Sequence, residues 1–221
     1  HLMKFLFPAL LLVLAVVASA PGAHAQKLRD KNKPKNDPVQ CPYCHGDPEL
    51  MAAAGIVSHG GFEFGKTDTA GVDKILFADA IWIETKHFEI GFALGFHKVN
   101  QKEKKKILKE LTRLAEVLPN VKPKSKNLDP WLRAHLYAQR CEDLWKDFTD
   151  LLEVKDEDFP AEPGPWQMQR KYMGIGPYLG MGGKYEVLLL PTEASSFAYL
   201  KDQFGLLIKL TQRWNVIDRD S

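Results

Sequence analysis

Cysteine is scarce in this chain, at three in 221 residues (Cys41, Cys44 and Cys141). That excludes a small scaffold built from disulfides. Excess charge of one sign is missing too, since the formal net charge is only +2. No strongly basic surface is predicted, and with it no nucleic acid partner. Catalytic signatures are also absent. There is no G-x-S-x-G, no G-x-x-x-x-G-K-[ST] and no H-E-x-x-H, so serine-hydrolase, P-loop and zinc-protease chemistry have no motif here. The nearest phosphate-loop approach, Gly174, Gly176 and Gly180 with Gly182, Gly183 and Lys184, has the wrong spacing and precedes its strand. It reads as a surface loop.

The longest apolar run, Phe5 to Val17, follows Met3-Lys4 and leads to Ala23-His24-Ala25. It is shorter than the roughly 20 residues of a membrane-spanning helix, and the small-x-small pattern after it predicts a cleaved signal peptide over residues 1–25. His1-Leu2 stand upstream of the Met. Cleavage before Gln26 would leave the mature chain periplasmic or secreted, with no integral membrane segment and no cysteine at the cut for a lipid anchor. Residues 26–40, which include KLRDKNKPKND, are charged and contain no aromatic residue, as expected of a flexible linker. A cysteine-bearing appendage over 41–71 and an α+β domain over 72–221 complete the expected organisation.

Within 41–71, Asp47 to Ala54 predicts a short helix stopped by Gly55, and SHGGFEFGKTDTAG predicts a glycine-rich loop. Strands are expected over Ile81–Ile83 and Phe88–Ile90. An amphipathic helix over 101–118 places Ile107, Leu108, Leu111, Leu114, Ala115 and Leu118 on one face, leaving the Lys102 to Lys109 cluster as its solvated side. Asp129-Pro130 opens a second long helix, with Asp as N-cap and Pro in the first turn. Its apolar stripe runs through Leu132, Leu136 or Tyr137, Cys141, Leu144, Trp145, Phe148, Leu151 and Leu152. A strand over Tyr185–Leu190, a helix from Glu193 to Phe204 capped by Thr192, and a last strand over Leu206–Leu210 follow. The fold class is α+β, a small mixed sheet with two long amphipathic helices and a shorter C-terminal one.

The chemistry concentrates in Cys41-Pro42-Tyr43-Cys44-His45. C-x-x-C-H is the minimal signature of covalent haem c attachment, with both thiols bonded to the vinyl groups and His45 as an axial iron ligand. His59, Met168, Met173 and Met181 are the candidates for the second axial ligand. A zinc reading takes Cys41, Cys44 and His45 as metal ligands, with Cys141 as a further candidate. A third reading is a disulfide among Cys41, Cys44 and Cys141, natural for exported thiols. A thioredoxin-like role is disfavoured, because the motif follows a linker and not a strand. Cys141 falls on the apolar stripe of its helix and reads as a buried small hydrophobe.

Among the histidines, His87 lies near Glu84 and Glu89 and reads as a surface residue with an acidic neighbourhood. His135, near Trp131, reads as a satisfied boundary histidine. His59 and His97 are loop residues without nameable partners.

The order IWIETKHFEI, amphipathic helix, LYAQRCEDLWKDFTDLLEV, KYEVLLLPTEASSFAYLKDQFG resembles the front half of exported bacterial peptidase-MA-like (gluzincin-type) proteins, over roughly residues 81–212. The resemblance implies the non-catalytic N-terminal portion of such a protein, in a truncated domain, with a structural or recognition role. No peptidase residue transfers, because the family's zinc helix would follow Ser221. The alternative expectation is a mono-haem c-type electron carrier.

Overall fold

The structure, a computed structural model, describes residues 37–159 and 176–207. The leader, residues 26–36 of the linker, Met168, Met173 and residues 208–210 of the last expected strand lie outside the described residues. The described part belongs to one unit, Pro34–Ser221. It is a mixed α+β fold of small sheets and five α-helices among the described residues.

Local rules set most element starts. Asp37 accepts from Val39 N at 3.1 Å and caps a 3-10 turn, Pro38–Gln40. Asp47 accepts from the amides of Glu49 and Leu50 and starts α1 (Pro48–Ala53), with Pro in its first turn. Gly55, at φ 74°, follows it. The glycine-rich stretch contains more order than its composition predicts. Glu63–Phe64 (β1) pairs antiparallel with Thr67–Asp68 (β2), and Asp68 caps a helix, α2 (Thr69–Leu76). Gly71 belongs inside that helix because a Cβ there would meet Thr67 Oγ1 at 2.1 Å.

Ile81–Glu84 (β3) pairs antiparallel with Phe88–Phe92 (β4), which pairs parallel with Tyr185–Leu189 (β7). The sheet order β3-β4-β7 is therefore mixed, as expected. Thr85, fully buried, closes the β3–β4 turn. Its amide donates to Phe88 O at 2.8 Å and its Oγ1 accepts from Phe88 N at 3.1 Å. The motif E-T-x-H-F thus carries turn geometry at its Thr. A small second pair joins His97–Lys98 (β5) to Asn127–Leu128 (β6).

Both faces of the three-stranded sheet are covered, which explains its unbroken apolar runs. On one face, Ile81, Ile83, Phe88, Ile90 and Phe92 pack with Ala134, Ala138, Cys141 and Trp145 of α4 (Pro130–Leu152). On the other, Trp82 packs with Phe64, Val72, Tyr199 and Leu200, from β1, α2 and α5 (Glu193–Phe204). Trp82 Nε1 donates to Asp73, at 3.2 and 3.3 Å to its two carboxylate oxygens. Burial pushes the Asp73 carboxyl up, against the hydrogen bonds from Ala80 and Trp82.

A third core lies beside the sheet, where α3 (Lys104–Val117) buries Ile107, Leu111 and Leu114 against Leu132 and Leu136 of α4. Cys41 and Cys44 belong to this core and are fully buried. Within the expected 41–71 segment, the cysteine turn packs into the α3–α4 layer, while Ile56 and Phe64 pack on the two faces of the sheet. The expected stripe of α4 also needs correction at its far end. Leu144, Phe148, Leu151 and Leu152 are exposed, and the inward set is Leu132, Ala134, His135, Leu136, Ala138, Cys141, Trp145 and Thr149. The helix faces two cores at once in its first half, so its buried arc there is wider than a single stripe. Among the described residues, no helix is long and apolar enough to cross a membrane.

Candidate metal centre

The turn that carries the two thiols is built by its own backbone. Cys44 N donates to Cys41 Sγ at 3.5 Å, His45 N to Cys41 O at 3.0 Å and Asp47 N to Cys44 O at 2.8 Å. His45 and Gly46 take left-handed conformations, φ 52° and 69°, and the glycine fits because Pro38 and Val39 backbone atoms sit against the place a Cβ would take. Tyr43 reaches across the fold and its hydroxyl donates to Asp129 Oδ2. Asp129 Oδ1 accepts from Leu132 N at 3.1 Å, capping α4. One carboxylate thus anchors the cysteine turn to the start of the helix that carries His135.

His135 is buried on the first turns of α4, at 1 % exposure, and its Nε2 lies 3.3 Å from Cys41 Sγ. The ligand atoms of Cys41, Cys44 and His135 all fall within 4.8 Å of one another. His135 Nδ1 has no hydrogen-bond partner among the described residues. An ordinary core histidine satisfies both nitrogens; this one meets only sulfur. His59 is near as well, with Nε2 4.0 Å from Cys44 Sγ and Nδ1 3.0 Å from Trp82 O.

The two thiols differ electrically. Hydrogen bonding from the Cys41 thiol is the main cause that drives the Cys44 pKa down, against burial. The Cys41 pKa rises, because its thiol donates to Cys44 and because it is buried. Two buried cysteine sulfurs beside imidazoles are a preformed set of soft donors. Such a set suits zinc or another thiophilic ion, and does not suit magnesium or calcium.

Of the residues expected from the sequence, Cys41 and Cys44 come together and neither His45 nor Cys141 joins them. His45 is exposed, with Nε2 3.2 Å from Asn120 Nδ2. Cys141 packs in the sheet-side core, where burial pushes its thiol up to about 12. All three cysteines are free thiols here. Met181 is part of a tight turn with Tyr178. His135, expected as a satisfied boundary residue, supplies the third donor. Its three-residue step from Leu132 puts it on the buried face of α4, which says that it is buried and nothing of what it meets. No family model, curated protein or solved structure matches this chain.

A second cluster surrounds His87. Its expected neighbours were Glu84 and Glu89, but its hydrogen-bond partners are Glu142 Oε2 at 2.6 Å on Nδ1 and Asp156 Oδ2 at 3.1 Å on Nε2. The ring is buried and stacks on Trp145, centroids 4.0 Å apart at 7°. Glu84 instead pairs with Lys184 at 2.7 Å and accepts from Ser58 Oγ. Asp156 binds Lys86 at 2.5 Å and Trp145 Nε1 at 3.2 Å. Lys86 chiefly, then His87 and Trp145, hold the Asp156 carboxyl at about 2, below its ordinary 3.8. A depressed folded pKa stabilises the protein above the unfolded pKa, and that stability is lost as pH falls through the folded one. Asp156→Asn should therefore cost about 1 kcal/mol at neutral pH, discounted for the exposure of Lys86, with the difference vanishing between about pH 4 and pH 2. Urea denaturation across that range checks this; a difference independent of pH would contradict it.

Proposed function

We propose that this is an exported α+β protein held in its working shape by one thiophilic metal ion, of the zinc class, bound by Cys41, Cys44 and His135. Its role is structural or recognition, in keeping with the resemblance to the non-catalytic front half of peptidase-MA-like proteins. The observation that carries the metal reading is the meeting of three buried donors from segments 94 residues apart, at hydrogen-bonding and metal-binding separations. Nothing in the local chain forces His135 there, and burying an imidazole against two sulfurs without a shared ion is costly.

The ion ties the cysteine turn to α4 at the point where that turn already packs against the helical core. A haem reading of the same thiols finds less support. Both sulfurs are enclosed between α3 and α4, and the imidazole that C-x-x-C-H would offer to iron is exposed and paired with Asn120.

Elemental analysis of the full chain, purified after export in a bacterial host, tests the proposal. About one equivalent of zinc per chain is expected, abolished by Cys41→Ser with Cys44→Ser. A Soret band with covalent haem staining, or metal-free protein with a Cys41–Cys44 disulfide by mass, would overturn it.

A further inference from the structure

We infer that His59 is the fourth ligand and that the centre is a closed Cys2His2 site, built for structure and with no coordination position left for a substrate. This rests on the metal reading above and specifies it. The first support is tautomeric. Trp82 O can only accept, so the 3.0 Å contact requires the proton on His59 Nδ1. The lone pair then belongs to Nε2, the atom facing Cys44 Sγ at 4.0 Å. A backbone carbonyl on the remote nitrogen is the usual outer contact of a metal-bound histidine.

The second support is distance. Zinc–sulfur bonds of about 2.3 Å and zinc–nitrogen bonds of about 2.0–2.1 Å put tetrahedral sulfur and nitrogen ligands roughly 3.5–3.6 Å apart. His135 Nε2, 3.3 Å from Cys41 Sγ, lies near that value; His59 Nε2, 4.0 Å from Cys44 Sγ, stands a little beyond it and outside the set of donors within 4.8 Å of one another, so its ring would close on the ion by a short side-chain movement.

The third support is the way the chain delivers His59. Val57 N donates to Glu84 O at 2.7 Å and Glu84 N to Ser58 O at 2.9 Å, so the residues before it are bridged to β3. Gly60 and Gly61, both at φ 76°, turn the chain immediately after it. The ring lies edge-on to Trp131, centroids 5.7 Å apart, on the first turn of α4. His59 is thus held by β3 and α4 together, and a metal bound there would connect the sheet edge, the cysteine turn and the long helix at one point.

Cobalt(II) substituted into the full chain reads the difference between a closed and an open site. Wild-type protein is expected to show thiolate charge-transfer bands and intense tetrahedral ligand-field bands that do not respond to azide. His59→Ala should keep the charge-transfer bands, lose on the order of 100-fold or more in metal affinity, and gain a spectral response to azide or imidazole at the vacated position. His59→Cys should restore the azide-insensitive site with a stronger sulfur band, which keeps the test informative if the alanine variant folds poorly. If wild type binds cobalt through thiolate but His59→Ala matches it in affinity and azide response, His59 is not a ligand while the metal reading stands. If wild type shows no thiolate bands, both fail.

Discussion

Removing metal from the purified full chain with a strong chelator is expected to lower Tm by roughly 8–16 °C. Cys41→Ser with Cys44→Ser should reproduce that loss without chelator. An ion that binds only the folded chain adds about 4 kcal/mol when present at a thousand times its Kd. For a protein of this size each kcal/mol moves Tm by about 2–4 °C. The loss should fall first on the cysteine turn, because Cys41 and Cys44 pack with Leu111, Leu118 and Leu136 in the core that α3 shares with α4. Hydrogen exchange localised to residues 38–54 and the start of α4 would report it. His135→Leu gives a sharper reading, since the two alternatives differ in sign. Without a metal, replacing a buried imidazole whose Nδ1 lacks a partner with an apolar side chain removes a penalty of about 1–3 kcal/mol, and the protein should gain stability. With a metal, the same change deletes a ligand and destabilises. A His135→Leu variant more stable than wild type would refute the metal centre.

What the sequence reveals here is what the chain decides locally. Asp47, Asp129 and Thr192 cap the helices expected of them, because an N-cap needs only its own next three residues. The strand at Ile81 and the parallel partner at Tyr185 were visible as apolar runs. The helix at Thr69 was not, since its Gly71 reads as a loop residue until Thr67 is seen to leave no room for a Cβ. Sites are harder because they are assembled from distant segments. Cys41 and Cys44 announce themselves by spacing, whereas His59 and His135 carry no spacing signal, and only the crossing of β3 and α4 brings them to the same sulfurs. His87 shows the same limit. Its neighbours in sequence are acidic, yet the carboxylates that bind it belong to Glu142 and Asp156, and its stacking partner to α4.

Trp82→Ala is expected to be the most damaging single substitution outside the candidate metal centre, at about 3–5 kcal/mol. The side chain is fully buried between Phe62 and Phe64, whose rings lie edge-on at 6.1 and 4.9 Å. Its removal opens a cavity between the sheet and α2 and takes the indole donor away from Asp73, a carboxylate burial already disfavours. The same indole explains a glycine. Gly91 stands opposite Trp82 in the β3–β4 register, and a Cβ there would approach the ring to 2.5 Å and Leu188 to 2.6 Å. Gly91→Ala alone should therefore cost about 1–3 kcal/mol by overpacking. Combined with Trp82→Phe, which withdraws the six-membered ring that would collide, the alanine should cost less than it does beside tryptophan. The double variant should then be more stable than the two single losses added together, by about 0.5 kcal/mol or more. Denaturant titration of the four proteins measures this coupling; strict additivity would mean that the indole and the glycine were not fitted to each other.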